Sequence, residues 1–235
     1  MLDTSKEYWI NNPIFLKIKE RFDWRKFTRV RQLRKIFINE RIVEIPFALN
    51  ALSKLDYGAY VLDLGCAESI LPLYASYLDI KITGIDCRNY PYAAPDFEFI
   101  KGDILNLPFK AHTFNAVTCI STIEHIGTGF YGDRIQSDSC DNTVMKEVKR
   151  VLQKGGMFVL SVPYGLRHRN DQQRIYDYDS ITNLLNGFQI ITQKYYLNTS
   201  IGNNNIWRPV EREKADNSDN SHRTECICCV IANMI

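Results

Sequence analysis

Long apolar runs are missing from this 235-residue chain. None approaches the roughly 18 residues that a membrane-spanning helix needs. The opening stretch, MLDTSKEYWINNPIFLKIKE, lacks a basic start followed by an apolar segment and a small-residue cleavage site, so no secretory signal is expected. No repeat at the ~20–50-residue period of stacked arrays is visible, and no low-complexity block. Histidines are scarce, at four, and His112, His168 and His222 fall at no metal-ligand spacing, so no metal site is expected. The seven cysteines are odd in number and several sit inside apolar runs, which reads as reduced thiols in a cytoplasmic protein. What remains is ordinary: 45% hydrophobic, 24% charged and 12% aromatic residues, which excludes disordered, collagenous and coiled-coil chains. The length suits one domain with an extension, and a core that needs no disulfide or metal staple.

The net charge of +2 is unevenly spread, because residues 17–41 hold ten Lys or Arg against three acids. That segment suits an acidic partner, nucleic acid or a membrane surface. Phe22, Trp24, Phe27, Val30, Leu33, Phe37 and Ile38 in the same stretch suit a packed helical stripe with a solvated basic face instead. Residues 1–57 therefore read as a basic helical extension through which a second copy or a partner enzyme could dock, and residues 58–235 as the main domain.

The hydrophobic pattern changes at residue 59. AYVLDLG (59–65), KITGID (81–86), FEFIKGD (97–103), FNAVTCIS (114–121) and MFVLSVP (157–163) read as short buried strands. SILPLYASYL (69–78), NTVMKEVKRVLQ (142–153) and DSITNLL (179–185) read as helices, the last opened by Asp179 or Ser180. FQIITQKYYL (188–197) and TECICCVIANM (224–234) are two late strands, separated by a polar loop of roughly 198–223. Strands alternating with helices imply a parallel sheet covered on both faces. The expected fold is α/β, a Rossmann-like doubly wound sheet of about seven strands, mostly parallel with a C-terminal antiparallel hairpin. In the CxCC of that last strand, Cys226 and Cys228 share one face and Cys229 the other, which is core spacing rather than a zinc site.

Ligands of such sheets bind at the carboxyl ends of the strands. Here those ends read LDLGCAES, GID, KGD and STIEH in order. Gly65 permits close backbone approach, and Asp86 follows it at about the spacing that lets an acid reach a ribose diol. A second and third glycine are lacking, which argues against a dinucleotide site. VLDLGCAES, GID, KGDILNLPF, FNAVTCISTIEHIG and VKRVLQKGGMFVLSVP together resemble class I, Rossmann-like S-adenosylmethionine-dependent methyltransferases over residues 60–163. The resemblance implies S-adenosyl-L-methionine as cofactor. It implies Asp63, Gly65, Cys66 and Ala67 at its methionine and ribose portion, and Asp86 on the ribose hydroxyls. Cys87 would lie beside the adenine, Asp103 on its amine and Ile104 against its ring, with Ser121 under the methionine end. Glu68 stands where the family often carries glycine.

Methyl transfer to an oxygen or nitrogen gains from a base close to the methyl carbon. His125 is the candidate, with Glu124 to orient it or to contact the cofactor amine. For the acceptor, the glycine-spaced loop 127–134 offers Tyr131 and Asp133, and the stretch after the fifth strand offers Tyr164, Arg167 and His168. Trp207 in the late loop could close over them. Aromatic and hydrogen-bonding side chains in this mixture suit a sugar and equally many aromatic metabolites; IEHIGTGFYGD resembles methyltransferase-like proteins linked to surface-sugar or glycan assembly, which implies O-methylation of a sugar or glycan precursor by direct displacement. The alternatives are a non-catalytic scaffold domain of the same fold, or methylation of another metabolite or of nucleic acid. The last lacks an Asn-Pro-Pro-Tyr motif, a Pro-Cys pair and a strongly basic chain.

Overall fold

The computed structural model describes residues 39–131, 137–199, 205–220 and 223–235. The basic stretch from 17 to 38 and Asp133 lie outside the described residues. Helix α1 (Arg41–Leu52) comes first, followed by β1 (Tyr60–Leu64), α2 (Leu71–Ala75), β2 (Lys81–Asp86), β3 (Phe97–Lys101) and β4 (Phe114–Ile120). Helix α3 (Cys140–Val151) leads into β5 (Leu152–Pro163). A small hairpin, β6 (His168–Arg169) with β7 (Arg174–Ile175), precedes α4 (Tyr178–Leu184). The chain ends with β8 (Phe188–Asn198), β9 (Trp207–Val210), α5 (Arg212–Ala215) and β10 (Cys226–Met234).

Eight strands form one sheet in the order β3-β2-β1-β4-β5-β10-β8-β9. The first five are parallel, while β10 runs antiparallel between β5 and β8. Strand order reverses between β1 and β4, which opens a crevice at their carboxyl ends. Alternation along each strand builds two cores. Leu62, Leu64, Phe158, Leu160, Cys226, Cys228 and Val230 face α3 and α4. Val61, Val159, Ile227, Cys229 and Ile231 face α1 and α2. Both faces of the sheet are thus covered, as expected, and none of the seven cysteines is in a disulfide.

Three details depart from the sequence reading. The stretch 198–223 is not simply a loop, because it carries β9 and α5; Pro209 suits β9 because edge strands tolerate a missing N–H. Helix α4 is capped by Asp177 rather than Asp179 or Ser180. The Asp177 carboxylate accepts from Ser180 N, and Ser180 Oγ accepts from Asp177 N, a reciprocal box. Helix α1, drawn from the segment read as an extension, buries Ile45, Phe47, Ala48, Ala51 and Leu52 against the sheet. Its Pro46 lies on the exposed side. No helix among the described residues is long and apolar enough to cross a membrane.

Candidate active site

A cavity of about 750 Å³ lies at the carboxyl ends of β1, β2, β3 and β4. Gly65, Asp86, Cys87, Asp103, Ile104, Ser121, Glu124, His125 and Tyr131 all line it, so nine residues singled out from sequence meet in one place. Asp63, Cys66 and Ala67 stand behind it. Asp63 is 1% exposed, and one carboxylate oxygen accepts from Thr118 Oγ1 at 2.6 Å. Its Oδ2 has no partner, and burial pushes its pKa up to about 7. Cys66 turns inward onto β2, where a Cβ at Gly84 would come within 2.7 Å of its sulfur. Ala67 contributes its backbone, donating N–H to Asp86 Oδ2 at 2.9 Å.

Gly65 is required by geometry. Its φ is +74°, and a Cβ there would sit 2.2 Å from Thr122 Cγ2. Gly65→Ala is therefore expected to cost about 1–2 kcal/mol in backbone strain and about 1–3 kcal/mol more in overpacking. Denaturant unfolding measures this, and a change within about 0.5 kcal/mol, the size of an ordinary surface substitution, would contradict it.

Asp86 is held by more partners than its sequence position suggests. Burial works to raise its pKa, but hydrogen bonds from Arg88 and from Ala67 outweigh it and hold the carboxyl below the usual range. The Arg88 backbone N–H donates to Oδ1 at 2.8 Å, while its side chain makes longer contacts at 3.2 and 3.3 Å. Arg88 also pairs with Glu68 at 2.6 Å and stacks 4.4 Å from the Tyr131 ring centroid. Glu68 is held in this pair on the wall of the cavity, beside Asp86. Asp103 spends Oδ1 on Leu105 N at 2.9 Å, in a turn that aims the carboxylate at the cavity it lines.

Part of the cavity wall comes from outside the strand-end motifs: Asn39, Glu40 and Arg41, at the start of α1, line it, and Glu44 stands behind Ser121. Glu44 of α1 is fully buried and accepts from Ser121 Oγ at 2.5 Å and Ser161 Oγ at 2.8 Å. Arg41, one turn earlier, donates to Glu44 at 3.2 Å and to Ile120 O at 3.0 Å. Burial works against the Arg41 charge, but Glu44, Glu124, Glu40 and Asp63 together raise its pKa. Ser121 spends its proton on Glu44, which leaves its oxygen as an acceptor toward the cavity.

His125 Nδ1 lies 2.7 Å from Gln172 O. A carbonyl only accepts, so Nδ1 carries the proton and Nε2 keeps its lone pair. Burial lowers the His125 pKa, so the ring is neutral at neutral pH. The orienting group is this carbonyl and not Glu124, whose Oε1 stands 3.8 Å from Nε2, beyond hydrogen-bond distance. Burial raises the Glu124 pKa to about 8, so it is a neutral acid at pH 7, with Oε2 unpartnered. Tyr131 meets the His125 ring edge-on, with centroids 5.4 Å apart.

The remaining acceptor candidates lie elsewhere. Tyr164 is fully buried and its hydroxyl bonds the Asp216 carboxylate, because residues 216–220 fold over the end of β5. Asn220 fixes that cover, donating to Tyr164 O at 2.9 Å. Trp207 sits on the edge strand β9, packed against the α1-side core, at the opposite edge of the sheet from β3. Arg167 and His168 line a second, separate cavity. Conversely, Arg41, Glu44, Arg88 and Thr122 belong to the site and were not singled out. Only Arg88, a cation two residues after the β2 acid, left a sequence signal.

The parallel order β3-β2-β1-β4-β5 with an antiparallel strand beside β5, and a cavity at the strand ends, define the class I, Rossmann-like methyltransferase fold. A solved S-adenosylmethionine-dependent methyltransferase of Methanosarcina mazei superposes with a TM-score of 0.56 at 14% identity, over 79% of this chain and 97% of that one. Among curated relatives, a candidate methyltransferase of Encephalitozoon cuniculi is 32% identical over 106 residues, 43% of this chain and 44% of its own. A sterol 24-C-methyltransferase of Gibberella zeae is 30% identical over 153 residues, 54% of this chain and 35% of its own. The chain thus spans less than half the length of either relative. Residues 105–225 match the family described as "Caenorhabditis protein of unknown function, DUF268", and the chain belongs to that family.

Proposed function

We propose that this chain transfers a methyl group from S-adenosylmethionine to a hydroxyl of a sugar or glycan precursor, with His125 as the base. The observation that carries the reading is the fixed tautomer of His125, whose Nε2 lone pair belongs to a residue lining the same cavity as Asp86 and Asp103. The residues present fit the cofactor. Asp86 keeps a charged carboxylate for the ribose hydroxyls, which would take over the two long Arg88 side-chain contacts. Asp103 keeps Oδ2 for the adenine amine, Ser121 offers an acceptor to the amino group, and Arg41 supplies positive charge for the carboxylate. When bound, the cofactor supplies a methyl group on a positively charged sulfur.

The protein's part is positioning and proton removal. Nε2 of His125 takes the acceptor proton while Gln172 O holds Nδ1–H. Neutral Glu124 adds no negative charge beside the base. Arg88 and Tyr131 link the ribose acid to the loop that carries the acceptor face.

The reading is tested by following S-adenosylhomocysteine formation with the full chain over sugars, sugar phosphates, phenols, amines and nucleic acid. Turnover on a sugar hydroxyl is expected. A methylated amine or nucleic acid as the product would overturn the acceptor assignment. Binding of cofactor with turnover on none of these would favour the scaffold alternative.

A further inference from the structure

The carbonyl that meets His125 belongs to the tip of a hairpin, 47 residues further along the chain. Strands β6 and β7 are two residues each, with His168 opposite Ile175 and Arg169 opposite Arg174. So short a hairpin has little stability of its own, and its shape is imposed from outside the strand pairing. At the tip, Asn170 Oδ1 accepts from Gln172 N and from Gln173 N, both at 2.9 Å, and Asn170 N donates to Gln173 O at 3.1 Å. These three bonds fix the direction of Gln172 O, which stands 2.7 Å from His125 Nδ1. At the root, Ile175 and Tyr176 are buried, and Tyr176 N donates to Pro163 O at 3.0 Å, which ties the hairpin to the end of β5.

Arg174 joins the same hairpin to the turn that carries His125. It is 7% exposed, and its guanidinium donates to Ile126 O at 2.6 Å, Ser137 O at 2.7 Å and Glu124 O at 3.4 Å. Two of these carbonyls flank His125 in sequence, and the third lies beyond the loop that follows it. Arg169, opposite Arg174, reaches Gly127 O at 3.4 Å and pairs with Asp138. An apolar side chain would fill the Arg174 position without the cost of desolvating a cation. What the guanidinium adds is geometry: its donors form a rigid planar fork, so the carbonyls bound to it are held at set positions relative to one another. One hairpin therefore grips His125 twice, at the ring through Gln172 O and at the backbone on both sides through Arg174.

We propose that Asn170 and Arg174 are positioning residues that hold the His125 ring with its proton on Nδ1 and its Nε2 lone pair available. Arg174 sets the backbone from Glu124 to Ile126, and Asn170 sets the carbonyl that selects the tautomer. Neither residue lines the strand-end cavity, so each acts through His125 and not on a ligand. Their effect on turnover rests on the reading of His125 as the base, whereas their hold on the ring does not.

Nitrogen NMR of the neutral imidazole in the full chain tests the hold without any acceptor, with the His125 signals assigned by their loss in His125→Gln. Wild type is expected to carry the proton on Nδ1 alone. Asn170→Ala, at a half-buried position, is expected to show both tautomers, and Asn170→Asp, which keeps the Oδ1 acceptor, to restore the wild-type pattern. Arg174→Gln serves as a second variant with the same expected mixture, and circular dichroism checks the fold of each. S-adenosylhomocysteine affinity, read by calorimetry, is expected to stay at the wild-type value in the Asn170 variants. For a sugar acceptor, kcat of Asn170→Ala is expected to fall about tenfold to a hundredfold, the cost of misplacing a catalytic group, with KM nearly kept. Mixed tautomers in wild type, or the wild-type pattern kept in Asn170→Ala, would overturn the proposal. The wild-type pattern in a folded Arg174→Gln would remove Arg174 from it. Mixed tautomers in Asn170→Ala with kcat unchanged would keep the hold on the ring and remove His125 as the base.

Discussion

Replacing His125 with Ala is expected to lower turnover by about 10²–10⁴-fold, the usual contribution of a positioned base, while leaving S-adenosylhomocysteine affinity nearly unchanged. The expectation follows from the Gln172 carbonyl, which fixes the proton on Nδ1 and leaves Nε2 to accept. The pH profile carries the sign. The base works only when neutral, so kcat/KM rises with pH through the His125 pKa and then levels. Burial lowers that pKa, so the rise falls below the ordinary imidazole range of about 6.5. The acid limb should vanish in His125→Ala. Glu124→Gln provides the contrast. Glu124 has a pKa raised to about 8, so at pH 7 the amide replaces a group that is already neutral, and most of the rate should survive. A loss as large as that of His125→Ala would mean that the carboxylate itself acts in the reaction. A drop of less than about threefold in His125→Ala, far below the range for a general base, would remove His125 from the mechanism.

Glu44→Ala is expected to destabilise the fold by about 3–5 kcal/mol, the cost of breaking a buried charge pair by removing one partner. Ser121, Ser161 and Arg41 all direct hydrogens at this carboxylate, which is fully buried. The methyl side chain leaves two hydroxyls without their acceptor in the interior and removes the one carboxylate paired with Arg41, whose Nη1 keeps only Ile120 O. Glu44→Gln keeps one acceptor oxygen and should lose much less. Denaturant unfolding of the three proteins measures the difference. A Glu44→Ala value within about 1 kcal/mol of wild type would show that water replaces the carboxylate, and that α1 is not tied to the cavity wall as described.

These two residues show what the sequence could and could not reveal. His125 was legible because it follows closely on the end of β4 in a series of strand ends, and period-two alternation makes those ends visible one at a time. The mostly parallel sheet with its late antiparallel strands followed from strands alternating with helices, and the CxCC motif divided between the two cores as its spacing required, whereas the insertion of β10 between β5 and β8 left no mark in the sequence. Glu44 left no such trace. Its partners lie 77 and 117 residues along the chain, and a single acid in an apolar helix looks like one more surface residue until the helix is docked. Tyr164 failed for the converse reason. It follows a strand end, where acceptor groups are expected, but residues 216–220 fold back over it and turn it into core. Trp207 was read in a loop because β9 is four residues long and contains a proline, too little pattern to mark a strand.

If the strand-end cavity is a cofactor site, it binds S-adenosylhomocysteine in solution. The most direct test is calorimetric titration of the full chain with S-adenosylhomocysteine, with NAD as the control ligand and Asp86→Ala as the control protein. Micromolar binding of S-adenosylhomocysteine is expected, with no binding of NAD and a loss of at least about a hundredfold in Asp86→Ala, as two hydrogen bonds to a charged acceptor disappear. No binding to a wild-type protein shown to be folded would contradict it, and would mean that Arg88 and Glu68 keep Asp86 closed to the ribose.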